Sequence, residues 1–242
     1  MASWTQGVEG FDDAIDRVIA RNMIDFRCSE GALSMVWDAV KPDEASDCLK
    51  LIPPLTEVEK RALSIADSVG APPKCKIGDV TASATAVRQL YYLIKALLLC
   101  PTMPKSIIEF GGGFGCLAAL AIEITGCARY TIYDLPHVGE LQRQYLDNTG
   151  VNRVYDTFCP CDSELPISNY DLAISTWAFN ELDIETAELY KPLIQASSHG
   201  FVAGHWIGNK SLSLDQWKDY RRDATHRSYV PYNGFTSYIT EW

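Results

Sequence analysis

The run from Ile107 to Cys116 holds an acidic residue, Glu109, followed by glycines at 111, 112, 113 and 115. A second acidic residue, Asp134, closes the next apolar run, which starts at Tyr130. Glycines this dense reach backbone angles closed to other residues and let a ligand approach the main chain. Two ligand chemistries compete for such a turn. A dinucleotide asks for G-x-G-x-x-G, with its phosphates over a helix N-terminus. Counted from Gly111, the third glycine of that pattern falls on Cys116. The spacing acid-x-G-x-G-x-G is met in full by Glu109, Gly111, Gly113 and Gly115. A carboxylate just before the glycines opposes a pyrophosphate and suits a ligand that carries positive charge.

The elements around these residues read as an α/β fold. From residue 105 onward, short apolar runs alternate with helical patterns. Strands are expected at 106–110, 130–134, 153–158, 171–176 and 200–205, and helices at 114–125, 138–148 and 184–196. That alternation predicts βαβ units and a mostly parallel, Rossmann-like sheet with helices on both faces. The glycine turn then lies beyond the carboxyl end of the first of these strands, where open α/β sheets place their ligands. The tail predicts a helix over 214–224 and strands near Tyr229 and over 235–241.

Residues 1–100 read as an all-helical extension to a catalytic domain at 101–242. Phe11, Ile15, Val18, Ile19 and Met23 form a helical stripe, and Leu33 to Val40 suggests a shorter helix. Thr56 followed by Glu59 resembles a capping box for a helix running to about Val69, which Gly70 is placed to end. Residues 70–74 read as a loop, and a long helix is expected from about Thr81 to Leu99.

Composition narrows the function classes. The chain has 242 residues, 21 basic and 31 acidic, for a net charge of −10. That balance argues against a nucleic-acid binder, which needs a basic surface for phosphates. None of the eight cysteines forms a C-x-x-C pair, so zinc is not expected, and free thiols suit a reducing cytoplasm. The first residues lack the basic and apolar regions of a secretory signal. No uncharged apolar run reaches the ~18 residues of a membrane span.

Three segments together carry a family likeness: Ile108 to Gly115, Tyr130 to Pro136 and Tyr170 to Leu182. With them the chain resembles the class I S-adenosylmethionine-dependent methyltransferases. A narrower likeness, over roughly residues 105–206, is to the sugar O-methyltransferase family, in which the second strand also ends in Asp-Leu-Pro. The resemblance implies S-adenosyl-L-methionine as cofactor, with Gly111, Gly113 and Gly115 against its methionyl part and Glu109 toward its ammonium group. Asp134 would accept hydrogen bonds from the ribose hydroxyls, since a carboxylate offers two acceptor oxygens to a vicinal diol. Leu135 would wall the adenine, and Asp162 would face its exocyclic amine or else stand as a solvated loop acid.

The same likeness sets the turn after Thr176 beside the transferable methyl group. Trp177 and Asn180 would then bind the acceptor. Glu181 would bind or deprotonate an acceptor hydroxyl, or would simply favour a helix N-terminus. His205, ending the fifth strand of the sheet, is the leading candidate base, because a neutral imidazole with a pKa near ~6.5 takes a proton near neutral pH. No carboxylate triad suggests a metal. The expected activity is methyl transfer to a hydroxyl of a small molecule or sugar, with no nucleic-acid or membrane partner and the oligomeric state open. A catalytically silent homologue acting as scaffold or partner subunit is the non-enzymatic alternative. A nicotinamide-dependent oxidoreductase is the other enzymatic one.

Overall fold

The computed structural model describes residues 11–20, 25–27, 40–158, 168–205, 212, 214–229 and 237–242, without the side chains at 11, 12, 180, 205, 214, 228, 229 and 237. The first elements are α1 (Phe11–Ala20), α2 (Pro42–Lys50) and α3 (Glu57–Ala66), then a hairpin of β1 (Lys74–Ile77) and β2 (Val80–Ser83), then α4 (Ala84–Leu97). The α/β part follows as β3 (Ser106–Phe110), α5 (Cys116–Thr125), β4 (Arg129–Tyr133), α6 (Pro136–Thr149), β5 (Tyr155–Phe158) and β6 (Tyr170–Thr176). After a short 3-10 turn at Phe179–Glu181 come α7 (Ile184–Ala196), β7 (Ser197–His205), α8 (Leu214–Tyr220), β8 (Thr225–Tyr229) and β9 (Ser237–Glu241).

A seven-stranded sheet in the order β5-β4-β3-β6-β7-β9-β8 forms the centre. The strands from β3 to β7 pair in parallel, while β9 lies antiparallel between β7 and β8. The chain winds outward from β3 through β4 to β5, then returns to the other side of β3 with β6. The carboxyl ends of β3 and β6 therefore flank the topological switch point, where an open α/β sheet leaves its crevice. The dinucleotide fold carries its strands in the order 3-2-1-4-5-6; the antiparallel β9 departs from that order.

Strand residues alternate between two buried faces, as a period of two requires. Ile107, Tyr130, Ile132, Leu172, Ile174 and Phe201 face a core shared with α3, α4, α5 and α6. Ile108, Phe110, Tyr133, Ala173 and Val202 face the opposite core, which holds Tyr190 of α7 and Trp217 of α8. The helical patterns expected after residue 105 appear with small shifts at their ends. Among the described residues no helix is long and apolar enough to cross a membrane.

The N-terminal part departs from the all-helical expectation. Residues 74–83 form the β1–β2 hairpin, turning through Gly78 and Asp79, with Gly78 at φ 61°. The helix expected from Thr81 begins instead at Ala84, because Val80, Thr81 and Ala82 alternate buried and exposed and Ser83 caps the helix, accepting from the Ala86 amide at 3.1 Å. The Thr56–Glu59 capping box is present at the start of α3. That helix ends at Ala66, however, and Gly70 serves a different purpose from the expected one. At φ 83° it makes room for Phe26, whose ring would lie 2.4 Å from a Cβ there. The helix expected over 33–40 lies outside the described residues apart from Val40, and the strand expected at 235–241 is described from Ser237.

A buried ion pair ties this layer to the sheet. Arg27 donates to Asp67 at 3.0 Å, to the Ala66 carbonyl at 3.0 Å and to the Ser83 hydroxyl at 2.8 Å. Asp67 in turn accepts from the Ser83 amide and hydroxyl, at 2.6 and 2.7 Å. The Arg27 guanidinium also lies 4.8 Å from the centre of the Phe114 ring, within the glycine turn. Removing one partner of such a pair leaves an uncompensated buried charge. Asp67→Ala is expected to lower the unfolding free energy in urea by about 3–5 kcal/mol. A loss below about 1 kcal/mol, the range of exposed pairs, contradicts this account.

Candidate functional site

The glycine turn joins β3 to α5 at the crest of the sheet. Gly111, Gly113 and Gly115 take φ values of 75°, 54° and 102°, the left-handed region that only glycine enters freely. Gly112 is constrained by packing instead. A Cβ there would meet Ile132 Cγ2 at 2.7 Å and Gln142 Nε2 at 3.0 Å. Cys116, where a dinucleotide site would have its last glycine, is buried as the first residue of α5.

Glu109 and Asp134 both lie buried beside this turn, at 1% and 6% exposure. Glu109 accepts from the Tyr130 hydroxyl at 2.8 Å. Burial raises its pKa to about 8; the Tyr130 hydrogen bond works against this, and the nearby Asp134 charge adds to it. Asp134 ends the run after β4 and accepts from the Leu135 amide at 2.8 Å on Oδ1 and from Gln142 Nε2 at 2.8 Å on Oδ2. Burial raises its pKa to about 7, while those donors and the amides of Gly112 and Gly113 pull it down. Two acids kept in this state gain from any cation that enters between them.

Gln142 was not among the expected site residues. Its amide bridges the Gly113 carbonyl, at 2.9 Å, and the Asp134 carboxylate, so α6 fixes the turn and the acid relative to each other. Its Oε1 is buried and has no hydrogen-bond partner. The available signal was a polar residue inside the apolar stripe Val138, Leu141, Tyr145, Leu146 of α6. Leu135 stands at the start of α6, half buried against the core.

The other side of the crevice is built by β6 and the N-terminal layer. Ser175 donates to the Phe110 carbonyl at 2.8 Å and accepts from the Phe179 amide at 3.2 Å, stitching β6 to β3 and to the 3-10 turn. The Thr176 hydroxyl is engaged by Gln89 of α4 at 3.1 Å. Trp177 has φ 73°, an uncommon angle for a residue other than glycine. Its amide donates to the Ala203 carbonyl at 2.7 Å. Its ring lies 6.2 Å from that of Tyr92 and 5.7 Å from the Arg88 guanidinium, both on α4. The sequence already suggests that the helical first hundred residues, with the aromatic pair Tyr91 and Tyr92, form part of an acceptor pocket; Arg88 and Gln89 were missed, because their partners Trp177 and Thr176 are remote in the chain.

The remaining expected residues fall as follows. Glu181 closes the 3-10 turn and is half buried; α7 is capped by Asp183, which accepts from the Thr186 amide at 2.7 Å, so Glu181 is not that helix's capping acid. Asn180 lies in the same turn. His205 ends β7 opposite Ser237, at the same edge of the sheet as Thr176. The side chains of Asn180 and His205, and Asp162 altogether, lie outside the described residues.

The chain matches no family model and no curated protein. It is similar in chain path to several solved structures. One is the methyltransferase domain of bacterial CtHen1-C, at 13% identity and TM-score 0.49, over 64% of this chain and 96% of that one. Another is the N-methyltransferase NodS from Bradyrhizobium japonicum, at 13% identity and TM-score 0.48, over 64% and 92%. A third is the mitomycin 7-O-methyltransferase MmcR, at 14% identity and TM-score 0.44, over 65% of this chain but only 57% of that one. Likeness at this level assigns neither a reaction nor a substrate.

The two acids give the ligand-free protein a signed pH dependence. Each binds its proton more tightly folded than unfolded, so its contribution to stability is full below the ordinary carboxylate range and is lost as pH rises through about 7 for Asp134 and about 8 for Glu109. Glu109→Gln keeps the shape and the acceptor for Tyr130 but removes one titration. Its urea midpoint is expected to match wild type near about pH 5 and exceed it near about pH 9. An equal offset at both ends refutes the assignment.

Proposed function

We propose that this chain is an S-adenosylmethionine-dependent methyltransferase that methylates a hydroxyl of a small molecule or sugar. The observation that supports it most is the pair of buried carboxylates on either side of a positive-φ glycine turn at the switch point of the sheet. A pyrophosphate would bring negative charge to two acids that are already hard to ionise. A ligand with an ammonium and a sulfonium brings the opposite. The departure of Cys116 and β9 from the dinucleotide pattern argues in the same direction.

In this reading Gly111, Gly113 and Gly115 give the methionyl part its close approach, and Glu109 attracts its ammonium group. Asp134, oriented by Gln142, takes the ribose hydroxyls, while Leu135 and Asp162 border the adenine. When bound, the cofactor supplies an electrophilic methyl group on a positively charged sulfur. Thr176 borders that group, and Trp177 and Asn180 border the acceptor. An acceptor oxygen that takes the methyl group, whose bond to sulfur breaks and leaves a neutral thioether, must lose its proton, and His205, with Glu181 as the second candidate, would take it. Aligning oxygen and methyl at ~3 Å provides a large part of the acceleration.

Calorimetric titration with S-adenosylmethionine tests the cofactor assignment directly. Wild type is expected to bind it. Gly113→Arg, which forces a large side chain onto a φ of 54° within the cradle, is expected not to. Affinity should rise between about pH 6 and about pH 9 as Asp134 and Glu109 ionise, with proton release on binding near neutrality. Absence of wild-type binding overturns the reading. With labelled cofactor and a panel of hydroxylated acceptors, His205→Ala should lower kcat by about 10²–10⁴-fold while leaving cofactor affinity unchanged. Binding without transfer to any acceptor would favour the silent-homologue alternative.

A further inference from the structure

Within the proposed methyltransferase site, the geometry points to Arg88 as the residue that reads an oxyanion, carboxylate or phosphate, on the acceptor. This inference rests on the methyl-transfer reading for the word acceptor, but the subsite stands on its own contacts. Arg88 lies one turn before Tyr92 on α4 and one residue before Gln89, which holds Thr176 at the end of β6. Its guanidinium lies 5.7 Å from the Trp177 ring centre, beside the residue that follows β6.

The partners of this guanidinium are incomplete. Nη1 donates to Glu44 of α2 at 3.2 Å. Nε is buried and makes no hydrogen bond. A buried donor without a partner carries a desolvation cost that calls for an explanation, and a bound oxyanion supplies one. Nε and the neighbouring nitrogen form the planar edge that takes two oxygens of a carboxylate or phosphate side by side. Glu44 occupies the other end of the fork, and its own burial, at 7% exposure, fixes the fork's orientation.

Two carboxylates stand beside the glycine turn. The guanidinium beside the end of β6 is paired with one carboxylate, Glu44, and keeps Nε for a second partner. The Trp177 ring lies against the same guanidinium, so the residue proposed to border the acceptor touches the one proposed to read its charge. The uncommon backbone angle of Trp177 is the type of strain that gathers at ligand sites.

The test is calorimetric binding of benzoate, phenyl phosphate and the neutral isostere benzamide to the full chain. Benzoate or phenyl phosphate is expected to bind about tenfold or more tighter than benzamide, the factor that a charged hydrogen-bond partner provides. A preference between the two anions identifies the oxyanion type. Glu44→Gln with Arg88→Gln, a double change that leaves no unpaired charge, should abolish that preference while circular dichroism and S-adenosylmethionine affinity stay unchanged. Arg88→Lys keeps the charge without the fork and should weaken anion binding by about fivefold or more. Equal binding of anion and benzamide, or anion binding that survives in both variants, overturns the inference. Loss of cofactor binding in wild type would instead overturn the methyl-transfer reading and leave the anion subsite standing.

Discussion

Burying two carboxylates at one end of a parallel sheet is the constraint on which this architecture turns. Taking an ionised carboxyl out of water costs several kcal/mol unless donors or a counter-charge replace the lost hydration. Glu109 has a side-chain donor in Tyr130, and Asp134 has Gln142 and the amides of Leu135, Gly112 and Gly113. Those donors do not offset burial, and both pKa values are pushed up toward neutrality. A fold optimised only for stability would place apolar side chains at these positions. Keeping acids there makes sense if a positive ligand completes the site, because the same burial that weakens the empty state strengthens each attraction in the filled one.

The surrounding layers work to keep that arrangement rigid. The turn is clamped from below by Ile132 and Gln142, and from the side by Phe114, whose ring packs on Phe26 and Tyr145 with centres 5.4 and 5.0 Å away. Phe26 is held in turn by the space at Gly70, and its neighbour Arg27 by Asp67 and Ser83. The Tyr145 hydroxyl donates to the Ala66 carbonyl at the end of α3. A chain of contacts thus runs from the first helices into the glycine turn. One hydrophobic core continues from α2, α3 and α4 onto the sheet, crossing residue 100 without interruption. Buried ion pairs such as Arg27–Asp67 are poor sources of net stability, but losing one partner leaves a buried charge uncompensated, so an arrangement that separates the two is penalised.

What could be read from sequence alone follows from how local the causes are. The strands from β3 to β7 show apolar runs, and the glycine turn and its two acids are contiguous motifs. Their places in the fold needed only periodicity and the rule that ligands sit at the carboxyl edge. The β1–β2 hairpin was legible in principle, since Gly78-Asp79 is a two-residue turn signal between short alternating runs. The helical pattern from Val87 onward masked it. Helix α2 offers only Ala45 and Cys48 as buried apolar residues and so carries almost no stripe. Gln142 left a local trace as a polar residue in the apolar stripe of α6. The roles of Gly70 and Arg88 were beyond reach for another reason: each depends on a partner distant in the chain, Phe26 or Trp177, and no local spacing records such a pairing.

Trp177 shows how these long-range causes converge. A residue with a Cβ at φ 73° is destabilised relative to its usual conformations by about 1–3 kcal/mol. Among the contacts that hold it there are its amide on the Ala203 carbonyl, its ring against Tyr92 and its ring against Arg88. The two ring contacts come from α4, an element outside the α/β part of the chain. The first hundred residues therefore set the backbone angle at the end of β6, and with it the shape of the crevice opposite the glycine turn. Under the proposed methyl transfer, α4 shapes the acceptor side, while the glycine turn and its acids set the charge of the group that binds beside it. The two sit on separate segments of one crest, so substitutions in α4 are expected to change the acceptor without disturbing the acids.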